Sequence, residues 1–311
     1  MKNFLKASFD TVLRYFSLYV PFSHKVLLFL PAKKTMCLRK FKNQKSSSSS
    51  LFKYFYNSFF LLVCRYNKST QVINKEVCYT DGEENLHLLL NVNETTQCGL
   101  YLELPNPELV ELIVKGGKTF VDIGSNIGFF SLIASRYFDQ IISFEPTVET
   151  INSFRRNISL NKIKNICLEP IGLSDIEGQM ILNENPLNMG GNSFEEMDRE
   201  MVQSSHRDDW VSYNVDVLTL DNYMSTNSIE AIDLIKIDVE NHEPNVVRGA
   251  INTLKKFRPL VYMEIGGKKT FLEEIIKEMP ALYKVYNPIT MTQINLEQPL
   301  PWDVLFIPNK A

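Results

Sequence analysis

Two stretches of the chain carry residue types whose spacing allows chemistry. In the first, Asp122-Ile123-Gly124-Ser125-Asn126-Ile127-Gly128 reads as the end of a buried strand, a glycine turn and the start of a helix. About twenty residues further on, the apolar run Ile141-Ile142-Ser143-Phe144 ends in an acid, Glu145. An acid at the tip of the second strand suits the two hydroxyls of a ribose, so the pair of signals points to an adenosine-containing ligand. A dinucleotide site needs G-x-G-x-x-G, and here Asn126 stands where the middle glycine would let a pyrophosphate close in. No G-x-x-x-x-G-K-[ST] phosphate loop is present. Asp122, just ahead of the turn, would repel phosphates. It suits a cationic or zwitterionic ligand such as an amino acid bearing a sulfonium. The bland alternative is a tight strand-to-helix turn of any α/β protein.

The second stretch is Asp233-Leu234-Ile235-Lys236-Ile237-Asp238-Val239-Glu240-Asn241-His242-Glu243, followed by Val246-Val247-Arg248-Gly249-Ala250. With alternating side chains, Ile235, Ile237 and Val239 share one face of a strand while Lys236 and Asp238 take the other. Polar groups in so apolar a strand are costly unless paired, so Asp238 is expected at the carboxyl edge of the sheet, facing a cleft. Together with the first stretch, these residues resemble the FkbM family of class I S-adenosylmethionine-dependent methyltransferases. Thr219-Leu220-Asp221 is similar to the short motif ahead of that signature, and Pro259-Leu260-Val261-Tyr262-Met263-Glu264-Ile265 to the strand after it. Asn241 departs from the family, which usually has glycine there; Asn tolerates a left-handed backbone better than most residues.

The resemblance implies S-adenosylmethionine as cofactor and a hydroxyl-bearing small molecule or glycan as acceptor. Gly124 and Gly128 would admit the methionine end of the cofactor, with Asp122, Ser125 and Asn126 offering polar contacts. Glu145 would take the ribose. Asp175, in Gly172-Leu173-Ser174-Asp175, would accept from the adenine amino group, or is a plain turn residue. On the catalytic side, His242 or Asp238 is expected as general base, Glu240 as a substrate-orienting group, and Glu264 as a further candidate base. The structural alternatives are an ion pair of Asp238 with Lys236 or an arginine, a satisfied loop histidine, and helix-opening acids at Glu240 and Glu243 ahead of Pro244.

Elements that would position these groups follow from periodicity. Strands at 119–123, 141–145, 165–169, 233–239 and 259–265 alternate with helices at 127–137, 148–160, 244–256 and 269–278. A helix after Asn106-Pro107 ends at Gly116-Gly117, with Asn106 as the expected N-cap. A hairpin around Asp81-Gly82 precedes it, a short strand lies near 213–217, and strands near 282–287 and 303–307 close the chain. This order predicts an α/β, doubly wound, mostly parallel, Rossmann-like sheet. By resemblance it has seven strands, the final ones forming an antiparallel hairpin. The polar insertion 184–212, with Gly190-Gly191-Asn192-Ser193 and the acidic 195–200, is expected to be a lid, a substrate loop or a plain surface loop.

Composition separates two parts. Residues 1–70 hold thirteen Lys and Arg against Asp10 alone, and the remaining twenty basic residues face thirty-five acids in 71–311. We therefore expect a basic, aromatic-rich, helical N-terminal extension over 1–70 with a serine-rich linker at 43–50. A methyltransferase domain is expected over 71–311, with its core at 105–266. No segment there reaches the length of a membrane span, and charges interrupt any secretory leader. The extension fits a helical cap, peripheral contact with an anionic membrane, or a targeting segment. Nucleic acid is not expected as a partner, because the main domain is acidic and no N-P-P-[YF] motif follows the fourth strand. Five scattered cysteines without C-x-x-C spacing predict neither a metal site nor a disulfide framework, and a cytoplasmic setting. Two rivals remain: a catalytically degenerate partner module recruited to membranes, and a nicotinamide-dependent oxidoreductase, which Asn126 disfavours.

Overall fold

The computed structural model describes residues 33–37, 73–80, 85–92, 94–102, 106–184, 191–194 and 211–309. The serine-rich linker, nearly all of the basic extension expected to be helical, and the acidic part of the 184–212 insertion lie outside them. The chain forms two compact units, residues 1–105 with 185–190, and 106–184 with 191–311.

In the first unit, β1 (Lys33–Cys37) runs parallel to β2 (Asn74–Thr80), which pairs antiparallel with β3 (Asn85–Asn91) in register Cys78 opposite His87. Leu86, Leu88 and Leu90 are buried at period two, as a one-sided strand requires. Helix α1 (Thr95–Leu102) follows. Its first turn is capped by Glu94, whose carboxylate accepts from the Thr96 and Gln97 amides at 2.8 Å each. Glutamate is not a usual cap signal, and the sequence reading has no helix here.

The second unit opens with α2 (Pro107–Ile113). Asn106 precedes it as expected but does not cap it: its backbone is left-handed (φ 41°), and its side chain turns towards Asp303. The main sheet is built from β4 (Gly117–Ile123), β5 (Phe138–Phe144), β6 (Ile166–Glu169), β10 (Leu234–Ile237), β11 (Leu260–Glu264), β12 (Tyr283–Tyr286) and β13 (Asp303–Pro308). Their order is β12-β13-β11-β10-β4-β5-β6, parallel except for β13, which is antiparallel to both of its neighbours. This is the doubly wound, seven-stranded sheet expected from the sequence. Helices α3 (Phe129–Ala134), α4 (Val148–Leu160) and α8 (Lys269–Glu278) lie where the periodicity places them.

Two features differ from the sequence reading. The expected helix 244–256 is two helices, α6 (Glu243–Arg248) and α7 (Ile251–Phe257). The Gly249 carbonyl accepts from the Asp221 amide at 2.9 Å, and the Asp221 carboxylate accepts from the Asn252 and Thr253 amides at 2.9 and 2.7 Å, so α7 carries a cap from elsewhere in the chain. Asp221 itself sits on α5 (Leu220–Thr226), which is capped by the Thr219 hydroxyl. The second difference is a small separate sheet: β7 (Gly172–Leu173), β8 (Gly178–Glu184) and β9 (Val211–Leu218), in order β7-β9-β8. Only Leu182, Val215 and Val217 form its buried centre, too few apolar positions to give β8 a clear period. Among the described residues no helix is long and apolar enough to cross a membrane.

Candidate active site

The parallel register sets Ile237 beside Ile123, so the glycine turn and the Asp238 loop leave the same edge of the sheet side by side. They touch closely: a Cβ on Gly124 (φ +71°) would lie 1.9 Å from the Asp238 carbonyl oxygen. The Gly124 and Ser125 amides donate to Phe144 at 3.1 and 3.0 Å, which pins the turn against β5. Asn126 is left-handed at φ 51°, a conformation Asn tolerates, and its amide donates to Glu145 Oε2 at 2.9 Å. The Thr147 amide donates to Glu145 Oε1 at the same distance. Each oxygen keeps capacity for a second bond, so Glu145 is held by backbone while still able to accept two hydroxyls. Burial pushes its carboxyl up, against the pull of these amides.

Beneath the turn lies Lys236. Its Nζ donates to the Gly124 carbonyl at 3.0 Å and sits 3.5 Å from Asp122 Oδ1 and 3.3 Å from Asp238 Oδ2. Burial alone would lower its basicity, but the charges of Asp238 and Asp122 outweigh that and hold the ammonium protonated. Asp122 is fully buried and also accepts from Ser131 Oγ at 2.5 Å. It therefore anchors Lys236 under the turn, where the sequence reading had it as a polar contact for the ligand. The Asp238 side chain is 34 % exposed, the more open end of the same ion-pair set.

The loop after Asp238 turns sharply. Glu240 and Asn241 are both left-handed, at φ 54° and 74°. Asn in place of the family's glycine thus keeps the turn, at a cost of roughly 1–2 kcal/mol for each such residue. Asn241 Oδ1 accepts from Lys268 Nζ at 3.1 Å. Burial first, then the charges of Asp238 and Glu264, push Glu240 up to about 9. The same two causes, burial and then Asp238, push Glu264 up to about 8, while Trp302 Nε1 donates to its Oε1 at 2.8 Å. The charges of Asp238, Glu240 and Glu264 therefore act on one another. His242 stands apart: it is 1 % exposed and its Nε2 lies 3.0 Å from Ser174 Oγ. Glu243 Oε1 accepts from the Val239 amide at 2.9 Å, bracing the same loop.

Asp175 lies on the loop after β7. Its carboxylate accepts from Arg248 Nε at 2.9 Å and from Ser174 Oγ at 3.2 Å. Burial would raise it, but the Arg248 bond and charge leave it below the usual range. A Cβ on Gly249 would lie 2.0 Å from the Ser174 carbonyl oxygen, so α6 packs directly on this loop. Sequence reasoning missed Thr147 and Phe194, which no motif spacing singles out, and quoted Ser174 and Ser193 only within their loops without a contact for either side chain. Lys236 and Glu264 were legible from the strand pattern.

The Methyltransferase FkbM domain matches residues 122–287, more than half of the chain. The chain belongs to the FkbM methyltransferase family. Among curated relatives, "Methyltransferase 1" of Beauveria bassiana (strain ARSEF 2860) is 31 % identical over 146 residues, covering 42 % of this chain and 57 % of that protein. The "2-O-methyltransferase NoeI" of Sinorhizobium fredii (strain NBRC 101917 / NGR234) is 27 % identical over 174 residues, covering 53 % and 70 %. The chain thus spans little more than half the length of the first of these relatives. A crystal structure of methyltransferase FkbM from Methylobacillus flagellatus KT is similar at 16 % identity and a TM-score of 0.39, covering 61 % of this chain and 43 % of that one. The fold rests on the strand order above and not on that likeness.

The cofactor of this FkbM chain is S-adenosylmethionine, and the residues present fit it. Ser125 Oγ, in the turn, is buried and has no hydrogen-bond partner among the described residues, a polar atom left for a ligand. Gly124, Ser125, Asn126 and Gly128 would hold the amino-acid end, and Glu145 the ribose. The accessible carboxylate of Asp238, beside the turn, suits a positively charged ligand.

Proposed function

We propose that this chain transfers a methyl group from S-adenosylmethionine to a hydroxyl oxygen of a small molecule or glycan. The observation that carries the reading is Asp238. It is an accessible carboxylate, oriented by a buried lysine, at the sheet edge beside the cofactor turn. The name of the Sinorhizobium relative, a 2-O-methyltransferase, supports oxygen as the accepting atom.

When bound, S-adenosylmethionine supplies an electrophilic methyl group, so the protein's share is placement and proton removal. Asp238 accepts the hydroxyl proton of the acceptor. Lys236 fixes that carboxylate through the ion pair at 3.3 Å. Glu240 and Glu264, pushed up to about 9 and 8, are protonated at neutral pH and donate hydrogen bonds to the acceptor's other oxygens. His242, buried against Ser174, orients the loop.

The test is transfer of labelled methyl from S-adenosylmethionine to a panel of hydroxylated metabolites and glycans, by the parent and by Asp238→Asn. Loss of a general base lowers the rate by roughly 10²–10⁴-fold. S-adenosylhomocysteine affinity stays within a few-fold. Full activity in Asp238→Asn removes Asp238 from the proton step.

A further inference from the structure

The short segment Asn192-Ser193-Phe194 touches the loop after β5, the Glu240–His242 loop and Gly172 of β7, and nothing in the reaction as described uses it. Asn192 Nδ2 donates to Thr147 Oγ1 at 3.2 Å, and the amide of that same Thr147 holds Glu145. Ser193 Oγ donates to the carbonyl of Glu240 at 2.6 Å, at the first of the two left-handed residues of the catalytic loop. Phe194 packs its ring edge-on to His242, with centroids 5.2 Å apart and planes at 61°. It also covers Gly172, where a Cβ would lie 2.6 Å from the phenyl Cζ, so that glycine leaves room for the ring. The segment is itself fixed: Ser193 exchanges both backbone hydrogen bonds with Asn183 of β8, at 2.9 and 3.1 Å.

We infer that Asn192–Phe194 is a clasp that positions the ribose-facing acid and the catalytic loop together, so that cofactor binding and placement of Asp238 are coupled. This rests on the methyltransferase reading. The physical argument concerns the Glu240–Asn241 turn. Two adjacent left-handed residues without glycine persist only where neighbours over-determine them. The Ser193 hydroxyl supplies one such constraint from outside the loop, through a backbone atom, and so works whatever side chain stands at 240. Asn192, one residue away, supplies the corresponding constraint on the Glu145 side. A shift on one side must pass to the other, because Asn192 is bonded directly to Ser193, whose backbone is held by the bridge to Asn183. Ser193 is therefore a positioning residue, in contact with neither cofactor nor acceptor in this scheme.

The probe is S-adenosylhomocysteine, titrated calorimetrically into the full chain, into Ser193→Ala, Ser193→Thr and Asn192→Ala. Ser193→Ala removes the hydroxyl's bond to the Glu240 carbonyl, yet coupling requires that it weaken S-adenosylhomocysteine binding about five-fold. Ser193→Thr, which keeps the hydroxyl, restores the parent value. Asn192→Ala weakens binding by a similar factor, and all variants melt as the parent does in the absence of ligand. Parent-like affinity in Ser193→Ala overturns the clasp, as does an equal loss in Ser193→Thr. Absence of binding by the parent chain is a different result: it removes the methyltransferase reading and with it the clasp.

Discussion

Lys236 is a single positive charge set between Asp122, which water does not reach, and Asp238, which it does. That arrangement sets the two aspartates apart, Asp122 buried against the lysine and Asp238 keeping an accessible carboxylate at the sheet edge. The alternation of Ile235, Lys236, Ile237 and Asp238 made a Lys236–Asp238 pair legible in the sequence, since polar groups in a buried strand must find partners, whereas Asp122 was read there as a ligand contact. His242 was less legible, because its role depends on Ser174, a residue brought to it by the loop after β7. The raised carboxyl of Glu240 has a consequence for stability. Its folded value of about 9 exceeds its ordinary 4.5, so the folded chain binds that proton more tightly than the unfolded chain. This contribution is full below pH 4.5 and is lost as pH rises through about 9. The urea midpoint of the parent should therefore fall between pH 5 and 9. In Glu240→Gln, which cannot ionise, the fall should be smaller; an unchanged pH profile in that variant would show that Glu240 is not the buried acid described here.

At the level of elements, the turn between β4 and α3 depends on close approach. Gly128 has φ +82°, and a Cβ there would lie 1.9 Å from the ring of Phe154 on α4. Gly128→Ala combines a left-handed alanine with an overpacked contact, and we expect a loss of about 2–4 kcal/mol in urea unfolding together with weakened S-adenosylhomocysteine binding. A variant as stable as the parent would mean that the turn relaxes freely. The β-α alternation was readable from the sequence because the strands of the main sheet are continuous apolar runs. The break between α6 and α7 was not, because Val246, Val247 and Leu254 keep a helical period across it. The cause is the Asp221 cap, which comes from outside the local sequence. Strand β8 was missed for the opposite reason: Gln179, Asn183 and Glu184 dilute its apolar positions, and its partner β9 lies across the 184–212 insertion.

For the whole molecule, the charge asymmetry sets a question apart from catalysis. The thirteen Lys and Arg of residues 1–70 stand against one acid, while 71–311 are acidic. We propose that the basic, aromatic segment contacts anionic lipid, at about 1 kcal/mol for each basic residue near the surface. The full chain should then sediment with phosphatidylserine vesicles and be released as ionic strength rises. Equal sedimentation of a chain lacking 1–70 would contradict this. The central claim, however, is that the glycine turn and Glu145 hold S-adenosylmethionine. Its most direct test is titration calorimetry of S-adenosylhomocysteine, with NAD in parallel, into the whole chain and into Glu145→Ala. The expected result is micromolar binding of S-adenosylhomocysteine, near −8 kcal/mol, reduced at least ten-fold in Glu145→Ala, and no heat with NAD. Failure to bind S-adenosylhomocysteine, or a preference for NAD, would contradict it.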